Sequence, residues 1–191
     1  MNRLVYLVFM LLPLFGSCHK SGQDDNRKPG PDGGPVYINT VTSIMNGKAI
    51  SFEVEMAVLV RNAEKQNKQL MIACVSSDNQ HKITLRMTQN TVVGNDMPAE
   101  DYKIELLNPD APPAGIFTPG DFAYCTRDVN GNWVEHVLNT SGSIRITFND
   151  QVSGVVSGVF LVRLKDDRNL DPVAPLEFVN GRFTGIRYLA K

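Results

Sequence analysis

Histidine, cysteine and tryptophan are scarce in this chain, whose 191 residues include three, three and one of them. His19, His81 and His136 stand far apart, and Glu135-His136 lacks the second half of a His-Glu-x-x-His zinc pair. There is no Gly-x-Ser-x-Gly elbow to present a serine nucleophile to a histidine base. Ser153-Gly154-Val155-Val156-Ser157-Gly158 does not continue into the Lys-Ser/Thr of a phosphate loop. Glu53 and Glu55 share one face of an alternating run and read as a solvated surface, although carboxylate pairs for glycoside cleavage are defined by a spatial separation that sequence does not reveal. Charge is equally muted: 19 basic against 20 acidic residues give a net −1, with no long block of either sign. Such a balance argues against a nucleic-acid surface or a polybasic membrane patch.

What is there begins with an address. After Met1-Asn2-Arg3 the chain runs through apolar Leu4 to Leu12 and breaks at Pro13. This is a positive start and an apolar stretch well short of the roughly 20 residues that span a bilayer, so it reads as an export signal over residues 1–17. Leu14-Phe15-Gly16-Ser17-Cys18 closes it with small residues before a cysteine. That pentad resembles the lipobox of bacterial lipoproteins, with Phe15 in the manner of Bacteroidetes members. The resemblance implies diacylglycerol on the Cys18 sulfur, acylation of the new amino terminus and anchoring to the membrane through lipid. More than one acyl chain makes such attachment durable, at about 0.8 kcal/mol per buried methylene.

Residues 18–35 are polar and rich in proline and glycine, a composition that does not offset its own ordering entropy and predicts a flexible tether. Asp24-Asp25 within it is similar to the acidic signal that sends Bacteroidetes lipoproteins to the outer face of the outer membrane. The resemblance implies cell-surface display, with the periplasmic face as the alternative. Removing the leader takes away only Arg3 among the charged residues, which brings the balance to −2.

Residues 36–191 have the length of one domain. Their pattern is period two, as in Ala49–Val58 and His81–Met87, with turn residues between the runs. Asp78-Asn79-Gln80 predicts a hairpin between Leu70–Val75 and His81–Met87. Asn130-Gly131 and Asn180-Gly181 predict two more, because both central residues of a type I′ turn need positive φ. Ser143–Phe148 and Val155–Leu164 make a further pair. Roughly nine or ten strands joined by tight turns imply an all-β fold, an antiparallel β-sandwich or alternatively a lipocalin-like β-barrel. Short helices have room only over residues 61–69 or near Pro98-Ala99-Glu100-Asp101. The proline-rich stretch over residues 108–120 is the one long irregular loop.

Three stretches carry a second resemblance. Ile44-Met45-Asn46-Gly47-Lys48, then Ser141-Gly142-Ser143-Ile144-Arg145-Ile146-Thr147 with Val155–Phe160, and finally Phe178-Val179-Asn180-Gly181-Arg182-Phe183, are similar to an uncharacterised β-rich family of Bacteroidetes lipoproteins. Its members share an "ING" opening, a "SGxIxIT…SGxF" pair and an "NGxF" finish. The likeness covers the opening and mainly the last fifty residues. It implies fold and address, and no catalytic or binding residue.

Candidate sites remain. Asp167, Asn169 and Asp171 have the alternating oxygen spacing of a calcium loop, but Pro172 and Phe178 stand where an EF-hand needs glycine and glutamate, so a polar hairpin loop competes with calcium as the only cofactor reading. Phe117, Tyr124 and Trp133 are candidate ligand-binding aromatics that could stack on sugar rings, while the alternation also lets Phe122 and Tyr124 point into the core. Cys74 and Cys125, in an oxidising compartment, fit either a disulfide or buried free thiols. The expectation is a lipid-anchored envelope module that binds a glycan or an envelope protein without catalysis. The rivals are a hydrolase whose carboxylates meet only in space and a structural subunit of an outer-membrane complex.

Overall fold

The computed structural model describes residues 28–29, 35–36, 39–94, 97–104, 120–136, 139–165 and 175–190. Its strands are β1 (Lys28–Pro29), β2 (Pro35–Val36), β3 (Thr40–Met45), β4 (Lys48–Asn62), β5 (Asn67–Ser76), β6 (His81–Gln89) and β7 (Asp101–Ile104). The second half adds β8 (Gly120–Arg127), β9 (Trp133–Glu135), β10 (Asn139–Asp150), β11 (Val155–Lys165), β12 (Leu176–Arg187) and β13 (Leu189–Ala190). β1 and β2 form a two-residue antiparallel ladder of their own, which pairs the segment read as tether with Val36, the first residue of the segment read as domain.

The remaining strands make one sheet in the order β7-β10-β11-β12-β3-β4-β5-β6-β8-β9, antiparallel along this path, with β13 joining β4 in parallel. The all-β expectation is met by a single curled sheet, a half-barrel, bent over its own core. Phe122 on β8 lies 6.3 Å from Phe160 on β11 and 5.2 Å from Phe178 on β12, ring centre to ring centre, so strands far apart in the order face each other. At Gly120, where β8 starts, a side chain would stand 2.5 Å from the Tyr102 carbonyl oxygen of β7, so the two ends of the curl meet there and leave no room for a Cβ.

Alternation places the core. Ile83, Leu85 and Met87 of β6 are fully buried, as are Leu70, Ile72 and Cys74 of β5 and Ile144 of β10. Bulges interrupt β4 between Val54 and Met56, β10 between Ile146 and Phe148, and the β11–β12 ladder twice. Each inserts unpaired backbone and sharpens the local twist, which bends long strands around a core instead of leaving them flat.

The turns refine the sequence reading. Asn46-Gly47 has positive φ at both residues, 47° and 79°, and is the two-residue turn joining β3 to β4. At Asn130-Gly131 only the glycine is positive, the Gly131 amide donates to the Asp128 carbonyl, and the hairpin is a wider one held by Asp128. The Asp128 carboxylate accepts from the amides of Asn130 and Asn132 at 2.9 and 2.8 Å.

Asn180-Gly181 is not a hairpin: β12 runs straight through it, and a register shift falls between Val179 and Arg182. Asn180 alone has positive φ, at 52°, so the pair forms a bulge. The two stretches considered for helix are also otherwise used. Residues 63–66 turn β4 into β5, and Pro98–Glu100 leads into β7.

Candidate functional site

The two folded-domain histidines, far apart in sequence, meet around one tyrosine. His81 Nδ1 lies 2.9 Å from the Tyr124 hydroxyl, and the rings stack at 6.0 Å. His136 stacks on the same phenol at 5.4 Å while its Nε2 lies 2.7 Å from the Thr126 hydroxyl. Register does this: β6 and β9 flank β8, so His81 and His136 arrive beside Tyr124 from its two neighbouring strands. Tyr124 is only 6 % exposed and meets Phe178 edge-on at 5.6 Å. Burial first, then the Asp78 carboxylate and Cys125, raises its phenol above the ordinary value. Tyr124 is therefore a hydrogen-bonded core residue.

Trp133 faces the other side of the sheet. It pairs in register with Arg127, whose guanidinium carbon lies 4.7 Å from the indole centre, and Lys82 Nζ approaches to 5.8 Å. Arg127 also donates to the Gly131 carbonyl and to Asn79 Oδ1, fastening the β5–β6 turn to the β8–β9 hairpin, while its buried Nε has no hydrogen-bond partner. The indole is already engaged by cations. Trp133 and Tyr124 thus cannot share a ligand. Phe117, Cys18 and the Asp167, Asn169 and Asp171 set lie outside the described residues.

Cys74 and Cys125 are free thiols. They sit on β5 and β8 with β6 between them, about 9.5 Å at sheet spacing, beyond the roughly 7 Å a disulfide tolerates. They also project to opposite faces, since Cys74 pairs with core-facing Ile83 and Cys125 with Lys82 on the outside. Burial, with Glu55 adding to it, pushes the Cys74 thiol up to about 12. Cys125 is raised too, by partial burial and Glu135, against the lowering effect of Lys82 and Arg86. Among the described residues no three histidine, cysteine, aspartate or glutamate side chains are placed to hold a metal ion.

An unpredicted feature lies on the outer face of β7, β10, β11 and β12, a groove of about 710 Å³. One row across the strands reads Asp101, Arg145, Val159, Arg182, and the next reads Lys103, Ser143, Leu161. Gly181 at the bulge presents no side chain there, and the Phe160 ring packs beneath it, 2.5 Å from where a Cβ would stand. The floor is aliphatic and accessible, Val159 being 38 % and Leu161 42 % exposed. Arg145 grips Asp101 through two hydrogen bonds and holds its carboxyl below the ordinary 3.8. Lys103 and Arg182 are exposed and have no hydrogen bond or ion pair among the described residues. Among the described residues the groove gathers three cations against one carboxylate, on a chain of almost no net charge.

Sequence reasoning missed this site because its parts come from four strands spread over residues 101–182 and none of them is a chemical motif. Its traces in the sequence are the alternation of Val159 and Leu161 toward solvent and the Asn180-Gly181 pair. No known protein family, curated protein or solved structure matches the chain.

Proposed function

We propose that this chain is a lipid-anchored cell-envelope lipoprotein, held through Cys18 and displayed on the outer membrane, that works as a noncatalytic binding module through the outer-face groove. The observation that carries the binding half is the groove itself. Two exposed cations border an accessible aliphatic floor, and the one carboxylate there among the described residues is tied to Arg145, an arrangement suited to recognition more than to proton transfer. The address half rests on the lipobox-like run before Cys18 and on Asp24-Asp25.

The test uses the lipidated protein in its native membrane. Wild type and a Leu161→Ser/Arg182→Gln variant are purified in parallel, and co-purifying envelope proteins and glycans are compared. A component retained by wild type and lost from the variant supports the reading, whereas an unchanged set contradicts it. Cys18→Ala is expected to abolish fatty-acid labelling and release the protein from membranes, and a labelled, membrane-bound mutant contradicts the anchor.

A further inference from the structure

Resting on that reading of the groove as a binding site, we infer that its ligand is an extended acidic polypeptide segment of the pattern acid-x-aliphatic-x-acid, laid across the strands. Arg182 on β12 and Lys103 on β7 stand three strand spacings and one two-residue step apart, about 16 Å on the diagonal between Cα atoms. In an extended peptide, side chains at i, i+2 and i+4 leave from one face, and the first and last are about 13 Å apart. The long side chains of lysine and arginine cover the difference. A carboxylate at each end then meets one open cation, and the middle side chain rests on Val159 and Leu161, which lie between them.

Charge selects an anion, since Asp101 is tied by hydrogen bonds to Arg145, feels Lys103 only through space as its smallest influence, and leaves both Lys103 and Arg182 without an ion pair among the described residues. The floor selects a peptide over a sugar. Carbohydrate rings stack on exposed aromatic faces, and the one aromatic lining this groove among the described residues, Phe160, is 3 % exposed and packed under Gly181. Ser143 and Asn180 add polar groups for a main chain crossing above them.

The probe is a blocked fluorescein-labelled heptapeptide of serines, with glutamate at its second and sixth positions and leucine at its fourth, titrated by anisotropy into the mature lipidated protein in detergent. Saturable binding that weakens with added salt is expected. Lys103→Gln and Arg182→Gln should each weaken it by about two- to fivefold, as exposed ion pairs do, with the double variant multiplying the two. Leu161→Ser should weaken it as well. A glutamine version of the peptide should not bind, and glutamates at the second and fifth positions should bind less well. All variants are surface changes, and their melting curves should overlay that of wild type.

Binding unaffected by the double variant, no saturable binding, or capture of an oligogalacturonate instead of the peptide would overturn the inference. The two levels separate cleanly. If native components still depend on the groove while the peptide does not bind, only the peptide assignment fails. If neither depends on it, the groove is not the binding site.

Discussion

Asp101 and Arg145 face each other in register across β7 and β10, with Arg145 Nε donating to Oδ1 at 2.7 Å and Nη2 to Oδ2 at 2.6 Å. This clamp fixes one corner of the groove and withholds one of its three cations. Asp101→Asn should release Arg145 and tighten binding of the acidic peptide by about two- to fivefold, the usual scale of an exposed pair. The carboxyl sits below 3.8 mainly because Arg145 donates to it, so the clamp is intact above that pH and is lost as the pH falls below it. Anisotropy titrations of both proteins at neutral pH make the comparison, and weaker binding by the variant would show that Asp101 helps the site.

Phe160 against Gly181 is the joint between core and groove. Gly181→Ala places a methyl within 2.5 Å of the ring and should cost about 1–3 kcal/mol in urea unfolding, because a packed aromatic has no space to retreat into. An unchanged unfolding midpoint would mean that the ring does not pack there.

Tyr124 is assigned to the core, and its hydroxyl to His81. Tyr124→Phe keeps the ring and loses the hydrogen bond, at an expected cost of about 0.5–1.5 kcal/mol with no effect on groove binding. A loss of ligand binding without a loss of stability would return Tyr124 to the list of ligand contacts.

The two thiols should behave as separate, unlinked groups. Non-reducing and reducing gels should coincide, and iodoacetamide should label Cys125 in the folded protein but Cys74 only after unfolding. The folded state favours the neutral Cys74 thiol, raised from 9.0 to about 12, so its contribution to stability is whole below pH 9 and fades as the pH rises toward 12. Mass spectrometry of alkylated peptides and an alkaline unfolding series measure both.

Much of the fold was legible. The alternating runs at Ala49–Val58, His81–Met87 and Val155–Leu164 fall within β4, β6 and β11, because a half-buried strand must place every second side chain in the core. What sequence pattern does not encode is curvature and register. Asn180-Gly181 carries the strongest short hairpin signal and yet is a bulge, since β12 has neighbours on both sides that keep it extended through the irregularity. β7 was hidden behind Pro98, and its four residues alternate too briefly to stand out.

The candidate site was less legible for the same reason. Trp133 and Tyr124 are separated by an odd number of positions along the β8–β9 hairpin, but only the actual turn, with Asp128 gathering the amides, decides that they face opposite ways. His81 and His136 look isolated until β6, β8 and β9 are laid side by side. The groove depends on cross-strand rows, and a row such as Asp101, Arg145, Val159, Arg182 exists only once the pairings are known.

The central claim is that ligand contact occurs at the groove and not at the Trp133 face. A photoreactive benzophenone amino acid placed singly at Leu161 or at Trp133 in the full-length protein, irradiated on intact cells, tests it most directly. The account predicts a specific adduct from Leu161, reduced by Arg182→Gln, and none from Trp133. An adduct from Trp133 alone would contradict it.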